Sequence, residues 1–160
     1  MTTVTAARLV EAPIAVVYEF LDRLPNHERL TSSRLRLLEL AAGRQGARMR
    51  IRGPLGLRRT AETTITYRRA PYGMGGTATT GRRTSAEVHW SLDPADAGTV
   101  VTLTAIVHRM GPADRLLLAL GGRRWLRSAF EQALTALAAQ TALAQMNASS
   151  AATEANRSDH

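Results

Sequence analysis

Two periodicities divide this chain. Near the start, Val16, Val17, Phe20, Leu21 and Leu24 recur at helical spacing, while Glu19, Asp22 and Arg23 turn away from them. Pro13 stands just ahead, at a helix-starting position where its missing N–H costs nothing. Pro25-Asn26 is expected to stop that helix, and "NHERL" to form a second, shorter one. Before both, "TVTAARLV" (Thr3 to Val10) is rich in β-branched residues and predicts a first strand. The helix pair is expected to close one end of an apolar container.

From Arg34 to Met110 the period becomes two. "SRLRLLEL" predicts one strand, and "GARMRIRG" alternates Met49 and Ile51 against Arg48, Arg50 and Arg52. "TAETTITYRR" sets Ala61, Thr63, Ile65 and Tyr67 on a common face. In "YGMGGTATTG", which contains Met74, the glycines suggest bends or close backbone approach. "TSAEVHWSLDP" and "GTVVTLTAIVHRM" predict a long hairpin joined through Asp93 to Gly98. Pairing Leu92 with Val101 places Trp90 against Leu103, Val88 against Ala105, and Ala86 against Val107. The opposite face then collects Glu87, His89, Ser91, Thr102, Thr104 and His108, with Ile106 as an exception. A slip by one residue would exchange the two faces, so the register is strongly specified.

After Gly111-Pro112 the helical period returns. "ADRLLLAL" is one segment and Gly121-Gly122 a kink or break. The main helix follows, with Leu126, Phe130, Ala133, Leu134, Leu137, Thr141 and Ala144 as its stripe. Residues 147–160 are small and polar and are expected to be a disordered tail behind one domain spanning residues 1–146. The expected fold class is α+β. A curved antiparallel sheet of about six to seven strands grips a long C-terminal helix, with two short helices after the first strand. An antiparallel sheet with one dry face needs a cover, and only the terminal helix is long enough to supply it.

Composition changes this picture little. At 160 residues, 44% hydrophobic and 21% charged, the chain is an ordinary globular domain. It has no cysteine, which excludes disulfides, thiolate catalysis and cysteine-bound metals. No apolar run suffices for a transmembrane segment, and no basic-then-apolar leader opens the chain, so a cytoplasmic location is expected. The net charge of +8 raises the question of nucleic acid. Every one of the 21 basic residues is arginine, however, and they are dispersed. With aromatics at only 4%, a nucleic-acid partner is disfavoured. Oligomeric state is left open.

The element order resembles the START-like helix-grip fold of the SRPBCC superfamily, which includes polyketide cyclase/dehydrase-like proteins. The resemblance is carried by "RLVEAPIAVVYEFLDRLPNHERL", by "VHWSLDPADAGTVVTLTAIV" and by "GPADRLLLALGGRRWLRSAFEQALTALAAQ". It implies a cavity between helix and sheet for apolar or amphipathic molecules such as a lipid, isoprenoid or polyketide. The dry-face residues would line it: Met49, Ile51, Thr63, Ile65, Tyr67, Met74, Val88, Trp90, Leu103 and Ala105 from the sheet, and Leu126, Phe130 and Leu134 from the helix. Small residues at Gly75, Gly76, Ala78 and Ala105 leave room where a filled core would want bulk.

Catalytic signatures are absent: there is no Gly-x-Ser-x-Gly elbow, no phosphate loop and no His-Glu-x-x-His. The histidines, His27, His89, His108 and His160, have no metal-ligand spacing, and neither a metal nor a cofactor is expected. Tyr67, Arg109 and His27 are the catalytic candidates, Tyr67 and Arg109 as groups that could polarise a carbonyl. Three functions therefore compete. The first is a binder of an apolar small molecule. The second is a cyclase or dehydratase acting on a biosynthetic intermediate. The third is an interaction module using the basic convex surface.

Overall fold

The structure, a computed structural model, describes residues 1–31 and 34–158. Ser33, the expected first residue of the second strand, and His160 lie outside the described residues. Strand β1 (Thr2–Val10) leads into α1 (Ile14–Asp22) and α2 (Leu24–Arg29). Six strands follow: β2 (Leu35–Leu40), β3 (Gly46–Arg52), β4 (Arg58–Arg69), β5 (Gly73–Thr80), β6 (Thr84–Ala95) and β7 (Gly98–Arg109). Helix α3 (Pro112–Leu117), a wide turn at Leu118–Gly122 and α4 (Arg123–Ser158) complete the chain.

All seven strands form one antiparallel sheet in the order β1-β7-β6-β5-β4-β3-β2. The β6–β7 hairpin adopts the register expected from its sequence, with Leu92, Trp90, Val88 and Ala86 opposite Val101, Leu103, Ala105 and Val107. The turn fits because Gly98 takes φ +144, and the carbonyl oxygen of Val10 occupies the place a Cβ would need. Next to it, the buried Thr99 hydroxyl donates to the Ala12 carbonyl over 2.8 Å, tying the β1–α1 link to the start of β7.

Pro25 does not end the first helix. That helix stops at Asp22, where Arg23 turns extended, and Pro25 falls in the first turn of α2. Proline suits that position because the first N–H groups of a helix have no intrahelical acceptor. Gly121, at φ +110, breaks the α3–α4 path where a kink is expected. From Ala133 onward α4 lies along β1: Ala133, Leu134, Leu137 and Thr141 are buried, the first three in one cluster with Ala6 and Val10. Arg8 adds a polar tie, its guanidinium donating to the Thr135 hydroxyl over 3.1 Å. Residues 147–158, expected as a disordered tail, continue α4 as helix, with every side chain of 147–157 exposed. The segment extends a helix already formed, and adding residues to an existing helix is far less costly than nucleating one.

Candidate functional site

The N-terminal turns of α4 stand away from the sheet, and a cavity of about 470 Å³ lies between them. Its size falls within the ~300–1,000 Å³ of small-molecule pockets. The sheet contributes Met49 and Ile51 from β3, Thr63 and Ile65 from β4, and Met74 from β5. Val88, Trp90, Leu103 and Ala105 continue the wall from β6 and β7, and Leu126 and Phe130 from α4 face them. Gly75, Gly76 and Ala78 also border the space, but the two glycines do not open it: a Cβ at Gly75 would meet the Tyr67 and His89 rings, and one at Gly76 the Thr64 carbonyl, so they answer the close approach of neighbouring groups. α2 borders one end through Leu24 and His27, and Leu30 and Arg34 add to the wall there.

Three expected site residues stand elsewhere. Tyr67 lies outside the cavity because β4 bulges between Ile65 and Tyr67. The extra residue reverses the alternation, so the ring sits on the outer face over Gly75. There its hydroxyl meets Nδ1 of His89 at 3.1 Å, and the two rings stack with centroids 5.8 Å apart. Arg109 is turned out in the same way. The β6–β7 pairing shifts between Ser85 and Ala86, setting Arg109 beside Ser85 of the wet face, and Met110 reaches the cavity instead. Leu134 is only 1% exposed but packs in the core where α4 already rests on β1.

His27 does reach the cavity wall. Its Nε2–H donates to the Leu21 carbonyl over 2.7 Å, and its ring meets the edge of Trp90 with centroids 5.8 Å apart. Burial lowers its pKa below the ordinary 6.5, outweighing the opposite pull of the carbonyl. The ring is thus held neutral, with its proton on Nε2 and Nδ1 left as an acceptor. The outer-face histidines join a different group. Nε2 of His89 and Nε2 of His108 contact the Glu87 carboxylate at 3.3 and 3.1 Å, away from the cavity.

The wall also carries charged residues that the alternation pattern does not announce. Arg59 pairs with Asp114, whose other oxygen accepts from the Thr84 hydroxyl, joining α3 to β4 and β6. The Gly111 N–H donates back to the Thr84 oxygen over 3.3 Å. Parity could have revealed two of these, since Arg59 alternates in phase with Ala61 and Thr63, and Thr84 with Ala86 and Val88. Arg34 carries no such signal, because it precedes β2 out of phase with the inward Leu35 and Leu37. Its guanidinium lies 5.7 Å from the centroid of the Trp125 ring. Among the described residues, no three His, Asp or Glu converge as metal ligands would. No helix among them is long and apolar enough to cross a membrane. Chemically, the arrangement can hold an apolar body and orient it through few polar groups.

A family model described as polyketide cyclase / dehydrase and lipid transport matches residues 1–142. No curated protein matches the sequence. Among solved structures, a Thermus thermophilus protein is 20% identical, with a TM-score of 0.65 over 89% of this chain and 99% of its own. A Staphylococcus aureus protein of unknown function is 13% identical, with a TM-score of 0.68 over 91% and 96% of the two chains. A conserved Geobacillus kaustophilus protein is 16% identical, with a TM-score of 0.67 over 88% and 95%. At these identities the likeness is one of fold.

Proposed function

The chain belongs to the polyketide cyclase / dehydrase and lipid transport family, and from that premise we propose that it binds a hydrophobic or amphipathic small molecule between its sheet and C-terminal helix. The observation that carries this reading is the hollow of about 470 Å³ beneath α4, walled chiefly by aliphatic and aromatic side chains. Packed interiors tolerate few voids larger than a water molecule, so a space of this size in a chain of 160 residues is a place for an occupant. Native mass spectrometry of the protein purified from cells tests the reading directly. A bound apolar compound, released on denaturation, is the expected result. Protein that arrives empty and takes up no lipid, isoprenoid or polyketide from a panel would end it.

A second reading is an enzyme of the cyclase or dehydratase kind, and His27 is the observation that favours it. A neutral imidazole with a free acceptor nitrogen, in the wall of an apolar cavity, suits removal of a proton next to a carbonyl. Such a reaction relies on folding and orienting a reactive chain more than on a strong nucleophile. His27→Gln should then abolish turnover of a poly-β-ketone substrate while leaving its binding intact. Unchanged turnover in that variant would remove His27 from the mechanism.

A further inference from the structure

Arg34 sits oddly in an apolar wall. Its backbone is anchored on both sides: its N–H donates to the Thr31 carbonyl over 2.8 Å, and its own carbonyl accepts from the Arg52 N–H over 2.7 Å. The side chain lies against the Trp125 ring at the start of α4. One guanidinium nitrogen, NH1, is covered by protein atoms and has no hydrogen-bond partner among the described residues, while the residue as a whole is half-buried and borders the hollow. A buried, unpaired cationic donor is costly, and native proteins rarely leave one without a purpose.

Nothing in the described wall supplies the missing anion. Among the described lining residues the only acid is Asp114, already engaged by Arg59 and Thr84. Three arginines (Arg34, Arg52 and Arg59) against one aspartate leave two positive charges in excess around the hollow. His27 adds no charge, since burial keeps it neutral. The cavity therefore combines an apolar body with an unanswered cation.

We infer that the cavity takes amphipathic acids, each an apolar chain or ring system carrying one carboxylate that pairs with the Arg34 guanidinium. The inference rests on the reading that the cavity holds a small molecule, and it names the class. A planar guanidinium matches a carboxylate in two parallel hydrogen bonds, and the Trp125 ring stands 5.7 Å from it as a cation–π neighbour. A single carboxylate suits the site better than a phosphate dianion. Arg59 is committed to Asp114 and Arg52 is exposed, so one arginine is left to meet the head group.

Titration of the purified, delipidated protein at mildly alkaline pH with palmitic acid, hexadecanol, methyl palmitate and hexadecyl phosphate tests this. Palmitate should bind more tightly than hexadecanol by roughly tenfold to a hundredfold, as a charge-assisted hydrogen bond allows. Arg34→Gln should bring palmitate down to the level of hexadecanol and leave hexadecanol unchanged, while Arg34→Lys should keep part of the preference. If hexadecanol binds and palmitate binds no better, the acid class is wrong although the cavity reading stands. The acid class is equally wrong if Arg34→Gln, still folded, weakens both alike. Tighter binding of hexadecyl phosphate than of palmitate would overturn the carboxylate assignment. If none of the four binds, the acid class falls, and the cavity reading is decided separately by the panel of lipids, isoprenoids and polyketides. The comparison of ligands on the unmodified protein decides the question even if the Arg34 variants do not fold.

Discussion

His27 shows how one side chain ties the container to solution conditions. Its folded pKa lies below 6.5, the value expected for an unfolded chain. Above that pH neither state holds the extra proton, and the stabilisation is complete. As pH falls below it, the unfolded chain takes up a proton that the folded protein refuses, and stability declines until the folded pKa is reached. Urea midpoints measured from roughly pH 7.5 to 5 should therefore fall more steeply in the unmodified protein than in His27→Gln. Parallel slopes would mean that the imidazole is not buried against Trp90. Tyr67 and Arg109 teach the complementary lesson. Counting alternate residues places both inward, and both point outward because a strand irregularity intervenes. Such an irregularity leaves no mark in hydrophobic alternation, whereas the uninterrupted run from Ala86 to Leu92 is legible in full.

Among the elements, α3 and the far end of α4 are the least supported. No residue of α3 is buried, and Asp114 joins it to β4 and β6 through Arg59 and Thr84. Breaking that tie with Asp114→Asn should speed amide exchange across α3 by roughly tenfold, because a charged hydrogen bond is lost from a local unit. The global unfolding midpoint should move little, and exchange at the same rate as in the unmodified protein would show that the pair does not hold α3. The last turns of α4 make a simpler case. Ending the chain after Met146 removes only residues whose described side chains are exposed. Stability should stay within about 0.5 kcal/mol of the full chain in a denaturant titration. A larger loss would mean that the exposed helix braces the fold. Composition marks this segment as unable to pack, and it does not pack. Small residues that bury nothing can still be helical, and composition alone does not separate helix from disorder.

For the molecule as a whole, the decisive property is that sheet and helix do not fill the space between them. Ala105, 4% exposed, borders that space at the centre of the β6–β7 wall. In a filled core, enlarging such a residue forces neighbours aside at about 1–3 kcal/mol. Ala105→Phe should instead place its ring in the hollow, leaving thermal stability near that of the unmodified protein while abolishing uptake of apolar ligands. A collapse in stability with uptake preserved would contradict the geometry. The apolar wall is largely readable in advance. The charges set into it are not, since Arg34, Arg59 and Asp114 come from separate segments that only folding brings to one cavity.

The chain's own pattern determined the element order, the hairpin register and which face of the sheet is dry, because side-chain alternation and helical spacing are local and repeat over many residues. Tertiary structure alone decided where alternation breaks, that Leu134 seals the core while Phe130 borders the hollow, and that Arg34 meets Trp125 across it. The breaks in alternation follow from how neighbouring strands pair, and the other two outcomes from how far α4 stands from the sheet at each turn; neither is encoded in a single stretch of residues.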